Sequence, residues 1–369
     1  MALNKYKLED YRNALVARQG LAAAAAIASE AAVSYPLDTV KTLVQVSANA
    51  GKNGVANGGK VWEMAILVMR VGVPGVYGGA GWQLLGRLPV LGARFGVYQL
   101  SSAFVTDGRG SNDMTVSEAS LAGLFTGCVE SLVATPFDFL KTRRQLTAVT
   151  HSLDPLYTPK ANWAQVMESL AGLPATHPNM ISSLQKYPWL ANGTGHPPIV
   201  RDMVGIRQII DVEGWKVLWR GFRPGLFRDA TYAGFFFGSW EFLCEFLLEH
   251  KAYYMDEPPR SLEDIDPLTP WQLSVTAGLA ASVAAVASHP MDTAKTRSQA
   301  TVLPKHVAME RKLLKWVTRP GNFLQRTLGI IPFDQPLLWK GLGIHTAQHG
   351  LAMAALVGTY HTVLQYLLH

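Results

Sequence analysis

The sequence predicts an all-α membrane protein with six transmembrane helices built as three repeats, and three observations carry that expectation. The run YPLDTVKTLVQ (Tyr35 to Gln45) recurs as TPFDFLKTRRQ (Thr135 to Gln145) and HPMDTAKTRSQ (His289 to Gln299), with Pro, Asp, Lys and Gln in one register. Self-similarity over a long period marks a repeat architecture. Downstream of each copy comes an aromatic-basic-Gly step, LWRG (Leu218 to Gly221) and LWKG (Leu338 to Gly341), weakened to VYGG (Val76 to Gly79) in the first repeat. Finally, Trp271 to Met291 and Gly341 to His369 contain no Asp, Glu, Lys or Arg. About 20 such residues suffice to span a bilayer.

Taken in order, each repeat reads as a proline-kinked helix, a loop with a short helix, and a second long helix. The repeats fall at residues 1–110, 111–250 and 251–369. A proline inside a helix removes a backbone hydrogen bond and bends the chain, so Pro36, Pro136 and Pro290 mark three equivalent bends. Small residues precede each bend: LAAAAAIASEAA (Leu21 to Ala32), AGLFTG (Ala122 to Gly127) and AGLAASVAAVAS (Ala277 to Ser288). Small residues let helices in lipid approach closely, and alanine runs also favour the helix itself. The interval from Pro136 to Pro290 is longer than that from Pro36 to Pro136, which places an insertion at about 151–200. That segment is rich in proline and small polar residues. It is expected to be a disordered loop with at most a short helix from Trp163 to Ala171, and dispensable from Asp154 to Pro197.

Composition narrows the class without fixing it. Apolar residues make up 49% and charged residues 16% of 369, against roughly 25% charged in an average soluble domain. Glu30, Arg94, Glu130 and Asp229 lie in or beside apolar runs. A charge at membrane depth is costly and faces a bundle interior or a water-filled cavity. The formal charge is +6, but the bases sit within the repeated motif or beside apolar runs. Anionic lipid or an anionic solute therefore suits them, and nucleic acid does not. Cys128 and Cys244 lie in apolar helices without ligand partners and are expected to be buried and inert. The first residues carry Glu9 and Asp10 among their bases and no apolar core with a cleavage site, so they read neither as a signal peptide nor as a transit peptide. GGAGWQLLG (Gly78 to Gly86) lacks the Lys-Ser/Thr of a phosphate loop, and no other enzyme signature is present. No cofactor is expected.

The three P-x-D-x-x-K motifs with Gln four residues past the Lys, followed by aromatic-basic-Gly, resemble the mitochondrial carrier family. The resemblance covers nearly the whole chain outside the insertion. It implies a threefold pseudosymmetric six-helix barrel with short matrix helices, monomeric, in the inner mitochondrial membrane. Other organelle membranes, such as the plastid envelope or peroxisome, are the alternative. A central cavity would open alternately to either side. By the same resemblance Asp38, Asp138 and Asp292 pair with Lys41, Lys141 and Lys295 of neighbouring repeats in a ring that shuts the matrix side, and Gln45, Gln145 and Gln299 brace the pairs. The plain alternative is an i,i+3 pair within each helix, contributing roughly 0.2–0.5 kcal/mol. Exposed pairs, each contributing about 0–1 kcal/mol, would suit a gate that must reopen. At the other end the family's ionic ring is lost: Tyr98, Trp240 and Tyr360 remain, with Glu241 the one acid and no base. Aromatic packing alone is expected there.

The resemblance also places substrate selection midway along the even helices, at Gly86-Arg87, Arg228-Asp229 and Gln348-His349. Arg followed by an acid resembles the amino-acid-transporting members, whereas PVLGARFG around Arg94 resembles the tricarboxylate carriers. Physically, Arg228 would take a carboxylate and Asp229 an amine. Arg87, Arg94, Arg228, Asp229, Glu30, Glu130 and His349 would make a mixed-sign cavity. Glu30 and Glu130, each six residues before its proline, read either as a functional pair or as counter-ions of cavity arginines. His345 and His349 are at i,i+4, a metal-binding spacing, but without a third ligand no metal is expected. Gly221 and Gly341, at the starts of even helices, are candidates for cardiolipin or other anionic lipid, since helix N-terminal amides favour phosphate. Three functions compete: a solute carrier for an amino acid or other carboxylate-bearing solute (tricarboxylates included), a carrier-derived scaffold or insertase, and a proton leak.

Overall fold

The computed structural model describes residues 2–47, 61–106, 115–153, 187, 190, 199–200, 203, 205–254, 267–303, 322–330 and 337–368. Six long helices dominate: α1 (Ala2–Ser47), α4 (Ala80–Val105), α5 (Val116–Leu153), α7 (Phe222–Tyr253), α8 (Pro270–Ala300) and α10 (Leu342–Leu368). Between them lie α2 (Val61–Val71), α3 (Val73–Val76), α6 (Ile206–Glu213), a 3-10 turn (Trp215–Trp219) and α9 (Phe323–Leu328). Among the described residues there is no strand, only an isolated bridge between Ile199 and Thr301. Close packing runs α4–α5–α7–α8–α10–α1, and α1 meets α4 over a shorter stretch. Pro36, Pro136 and Pro290 sit inside α1, α5 and α8 as expected. The carbonyl of Ala32, which Pro36 cannot reach with an N–H, accepts instead from the Tyr77 hydroxyl at 3.2 Å.

The small residues do what their positions suggest. A Cβ on Gly127 would lie 2.2 Å from the Asp229 carbonyl oxygen, so α5 and α7 touch backbone to backbone. Ser29 of α1 donates to Thr359 of α10 at 2.9 Å, and Ser274 of α8 donates to the Ala354 carbonyl of α10 at 2.8 Å.

Burial is inverted relative to a soluble protein. Asp38, Lys41, Asp292, Lys295, Glu30 and Arg143 are buried, while Leu21, Phe125, Leu132, Phe235, Trp271 and Leu279 are exposed. Soluble chains almost never bury so many charges behind an apolar exterior; in lipid this arrangement is the stable one. Among the described residues three helices are long and apolar enough to cross a membrane, Arg18–Val46, Val116–Val149 and Pro270–Ala300. The charge-free stretch from Gly341 is not one of them.

Two expectations need correcting. Cys128 is exposed and Cys244 half-buried, so Cys128 lies on the apolar exterior beside Phe125 and Leu132 and is not in the core. The insertion is also not wholly outside the fold. Tyr187, Leu190, Val200 and Met203 are buried in the main apolar cluster with Val44, Phe139 and Val149, and the Val200 N–H donates to the Ala300 carbonyl at 2.9 Å. The suggested helix from Trp163 to Ala171 lies outside the described residues.

Candidate functional site

The first long helix of each repeat (α1, α5 and α8, the odd helices, with α4, α7 and α10 the even ones) carries its Asp and Lys one turn apart, just past the proline, and the three bring these residues to one centre. Lys141 Nζ reaches Asp38 at 2.7 Å, Lys295 reaches Asp138 at 2.6 Å, and Lys41 reaches Asp292 at 3.1 Å. Every one of these pairs joins two different repeats, and together they close a cycle. The plain i,i+3 alternative survives only as a longer contact, Lys41 to Asp38 at 3.6 Å.

Two arms of the ring are alike and the third is not. Gln145 Nε2 donates to Asp38 Oδ2 at 2.8 Å, and Gln45 Nε2 donates to Asp292 Oδ2 at 2.9 Å. Gln299, in the same register, has no partner at Nε2. The cause lies one residue past the Asp. Thr39 and Thr293 place a hydroxyl beside Gln145 (3.4 Å) and Gln45 (3.2 Å); the second repeat has Phe139 there. These threonines also tie the aromatic-basic-Gly turns down, Thr39 donating to the Val76 carbonyl at 2.8 Å and Thr293 to that of Leu338 at 3.0 Å.

The even helices repeat the pattern. Arg228 donates to Asp292 Oδ1 at 3.1 Å and Gln348 to Asp38 Oδ1 at 2.9 Å. The corresponding residue facing Asp138 is Gly86, which has nothing to donate. The Asp138 side chain is accordingly 32% exposed, against 6% for Asp38 and 1% for Asp292. The expectation of exposed pairs therefore fails: even in the third arm Asp138 is only partly exposed and its partner Lys295 is buried.

Beyond the ring, the residues expected to line a cavity pair with one another. Glu30 is bonded to Arg87, and Glu130 holds Arg94 through two bonds of 2.8 and 2.5 Å. Of the two readings for these acids, the geometry gives the counter-ion. Arg228 donates to its neighbour Asp229 at 2.6 Å and approaches Asp138 at 3.6 Å. Asp229 Oδ2, Glu30 Oε2 and Arg87 Nε are buried without a hydrogen-bond partner. The His349 ring lies 5.0 Å from Tyr232 and 4.5 Å from His345. At the far end Tyr98 stacks on Phe237 and Trp240 on Phe236; no ring contact among the described residues joins Tyr98, Trp240 and Tyr360.

Gly79, Gly221 and Gly341 precede the even helices with φ of 92°, 82° and 86°. This left-handed conformation favours glycine and is the same in all three repeats. Near Gly79 a groove of about 470 Å³ is lined by Gly78, Trp82, Leu85 and Arg144.

Reasoning from the sequence missed an ion cluster under the second repeat. Arg143 donates to Glu213 at 2.8 Å and to the Gln299 and Thr301 carbonyls at 2.7 Å each. Arg220 also bonds Glu213, and the Leu303 N–H donates to it at 2.8 Å. The Glu213-Gly214 step was visible in the sequence; nothing there indicated that two arginines would converge on its acid.

The molecule is thus a helical membrane protein whose three repeats interlock through a cycle of ion pairs. The family model for mitochondrial carrier proteins matches residues 13–109 and 190–251. The mitochondrial citrate transporter C of Aspergillus niger is 27% identical over 274 residues, 74% of this chain and 69% of that protein. The succinate/fumarate mitochondrial transporter of Saccharomyces cerevisiae is 24% identical over 285 residues, 77% of this chain and 71% of its own length. A probable chloroplastic S-adenosylmethionine carrier of Arabidopsis thaliana is 32% identical over 121 residues, 33% of this chain and 29% of that protein. Over these stretches the chain is similar to mitochondrial carriers, which are transporters rather than enzymes.

Proposed function

We propose that the chain carries a small carboxylate-bearing solute across the inner mitochondrial membrane by alternating access, as a monomer with all six long helices spanning the bilayer. The observation that carries this reading is the cyclic ion-pair ring, in which no repeat can move without breaking a pair to its neighbour. The ring is the matrix gate, closed here. Cardiolipin or another anionic lipid would sit at the helix starts marked by Gly221 and Gly341, and by symmetry at the groove beside Gly79 and Arg144.

For the substrate we favour an amino acid. Arg87, Arg94 and Arg228 are each held by an acid, Glu30, Glu130 and Asp229. A zwitterion entering this neutral array exchanges charge for charge. Its carboxylate takes a guanidinium, and its ammonium takes the carboxylate set free or Asp229 Oδ2, which among the described residues makes no hydrogen bond and touches only Lys295, at 3.9 Å. A tricarboxylate would leave several buried acids uncompensated, at a cost of several kcal/mol each. Tricarboxylate transport remains the second reading, favoured by Arg94 and by the citrate and succinate/fumarate transport of the relatives.

Uptake by reconstituted vesicles separates the two. Asp229→Asn should weaken amino-acid binding by about 1.5–3 kcal/mol, the contribution of a hydrogen bond to a charged group, and leave simple carboxylates unaffected. Equal losses for both classes would make Asp229 structural and favour the tricarboxylate reading. No uptake of any solute by correctly inserted protein would favour the scaffold. A thermal-shift screen against amino acids, carboxylates and nucleotides gives the substrate class independently, since a ligand of the folded state raises apparent stability.

A further inference from the structure

The sequence pairs His345 with His349, but the structure brings a different partner to His345. His289, immediately before Pro290, faces it across the α8–α10 contact with the two Nδ1 atoms 3.0 Å apart. Asp292 Oδ2, one turn further along α8, lies 3.3 Å from His345 Nδ1. Three Lewis bases from two helices therefore converge within 4.8 Å. All three residues are buried, and His345 Nε2 has no hydrogen-bond partner.

We propose that His289, His345 and Asp292 form a transition-metal site built into the Asp292–Lys41 arm of the ring, suited to Zn²⁺ or Co²⁺. Bonds of about 2.0–2.2 Å to imidazole nitrogen and carboxylate oxygen place neighbouring donors roughly 3.0–3.5 Å apart, which matches the two spacings above. Two imidazoles and a carboxylate are also the donor set that selects such ions over Ca²⁺ or Mg²⁺.

The surrounding charges decide when the site can fill. Asp292 also faces Lys41, Arg228 and Gln45. A divalent cation beside the Lys41 ammonium, itself 3.1 Å from the shared oxygen, would be strongly repelled. Metal and Lys41 thus compete for Asp292 Oδ2, and the metal enters when Lys41 leaves. On the reading of the ring as a gate, that moment is its opening, so a bound ion holds the gate from reclosing and inhibits transport.

The test uses the full chain purified in detergent without a polyhistidine tag. Zn²⁺ binding is measured by calorimetry, and Co²⁺ binding by its visible absorption. Saturable binding of one ion is expected, tightened at least tenfold by Lys41→Gln. His289→Gln and His345→Gln should each weaken it at least tenfold, and His349→Gln should leave it unchanged. Thermal unfolding without metal checks that each variant is folded; Asp292→Asn replaces any that is not and should weaken binding likewise. Absence of saturable binding in both the parent and Lys41→Gln overturns the proposal. So does binding that persists in the folded ligand variants. These readouts do not depend on uptake, so a failed transport assay leaves the site standing, and a failed metal titration leaves the carrier reading standing.

Discussion

The second repeat closes its end of the molecule with different chemistry from the first and third. In those two, a threonine hydroxyl links the odd helix to the turn before the even helix and lies beside the bracing glutamine. In the second, Phe139 fills that place with a ring against Arg143, 4.9 Å from the guanidinium, and a buried Arg143–Glu213–Arg220 cluster makes the connection. The ring inherits this asymmetry. Asp38 and Asp292 each have a lysine, a glutamine and a hydrogen-bonding even-helix side chain, while Asp138 has Lys295 and a longer 3.6 Å contact with Arg228. On the proposed reading of the ring as a gate, one weak arm would give it a defined place to begin opening, because buried, fully bonded pairs resist separation more than partly exposed ones.

The largest expected effect removes an arm outright. Lys141→Ala should reduce uptake to background while the protein still inserts and unfolds cooperatively, since Asp38 keeps Lys41, Gln145 and Gln348. Normal uptake by the inserted variant would refute the gate assignment. The comparison between arms then predicts unequal costs for equivalent changes. Asp38→Asn should destabilise by about 3 kcal/mol or more, in the range for breaking a buried pair. Asp138→Asn should cost about 1–2 kcal/mol less than that, because Asp138 is partly exposed although its partner Lys295 is buried. Denaturant or thermal unfolding of the two variants side by side decides this, and equal losses would mean the arms are equivalent.

A smaller difference should appear at the braces. Gln145→Ala removes a hydrogen bond to a charged group, a loss of about 1.5–3 kcal/mol, whereas Gln299→Ala removes an amide whose Nε2 has no acceptor and whose Oε1 accepts only from the neutral Thr142 hydroxyl, and should change stability by less than about half of that. Smallest of all is the insertion. Replacing residues 155–186 with a short flexible linker should leave unfolding and uptake unchanged. Extending the deletion through Tyr187 and Leu190 should destabilise the fold, because their side chains fill the main apolar cluster.

How much of this was legible beforehand follows from how the information is arranged along the chain. The triple motif, the six long helices and the ring residues could be read directly, because a repeat writes the same local physics three times. Proline, acid, base and amide recur at fixed offsets whatever they later touch. The pairing of Glu30 with Arg87 and of Glu130 with Arg94 was open in the sequence, since a buried acid and a buried base can each serve a substrate or one another. The columns that hold Thr39, Phe139 and Thr293, and Gly86, Arg228 and Gln348, were also in plain view, but their consequence was not. The partners of each aspartate come from all three repeats, so a substitution in one repeat strips a contact from another. Likewise His289 and His345 are 56 positions apart, and only the packing of α8 on α10 makes them neighbours. What the sequence determined by itself was the repeating local chemistry; which arm of the ring is weak, and where two histidines meet an aspartate, depended on contacts between distant residues that only the tertiary structure brings together.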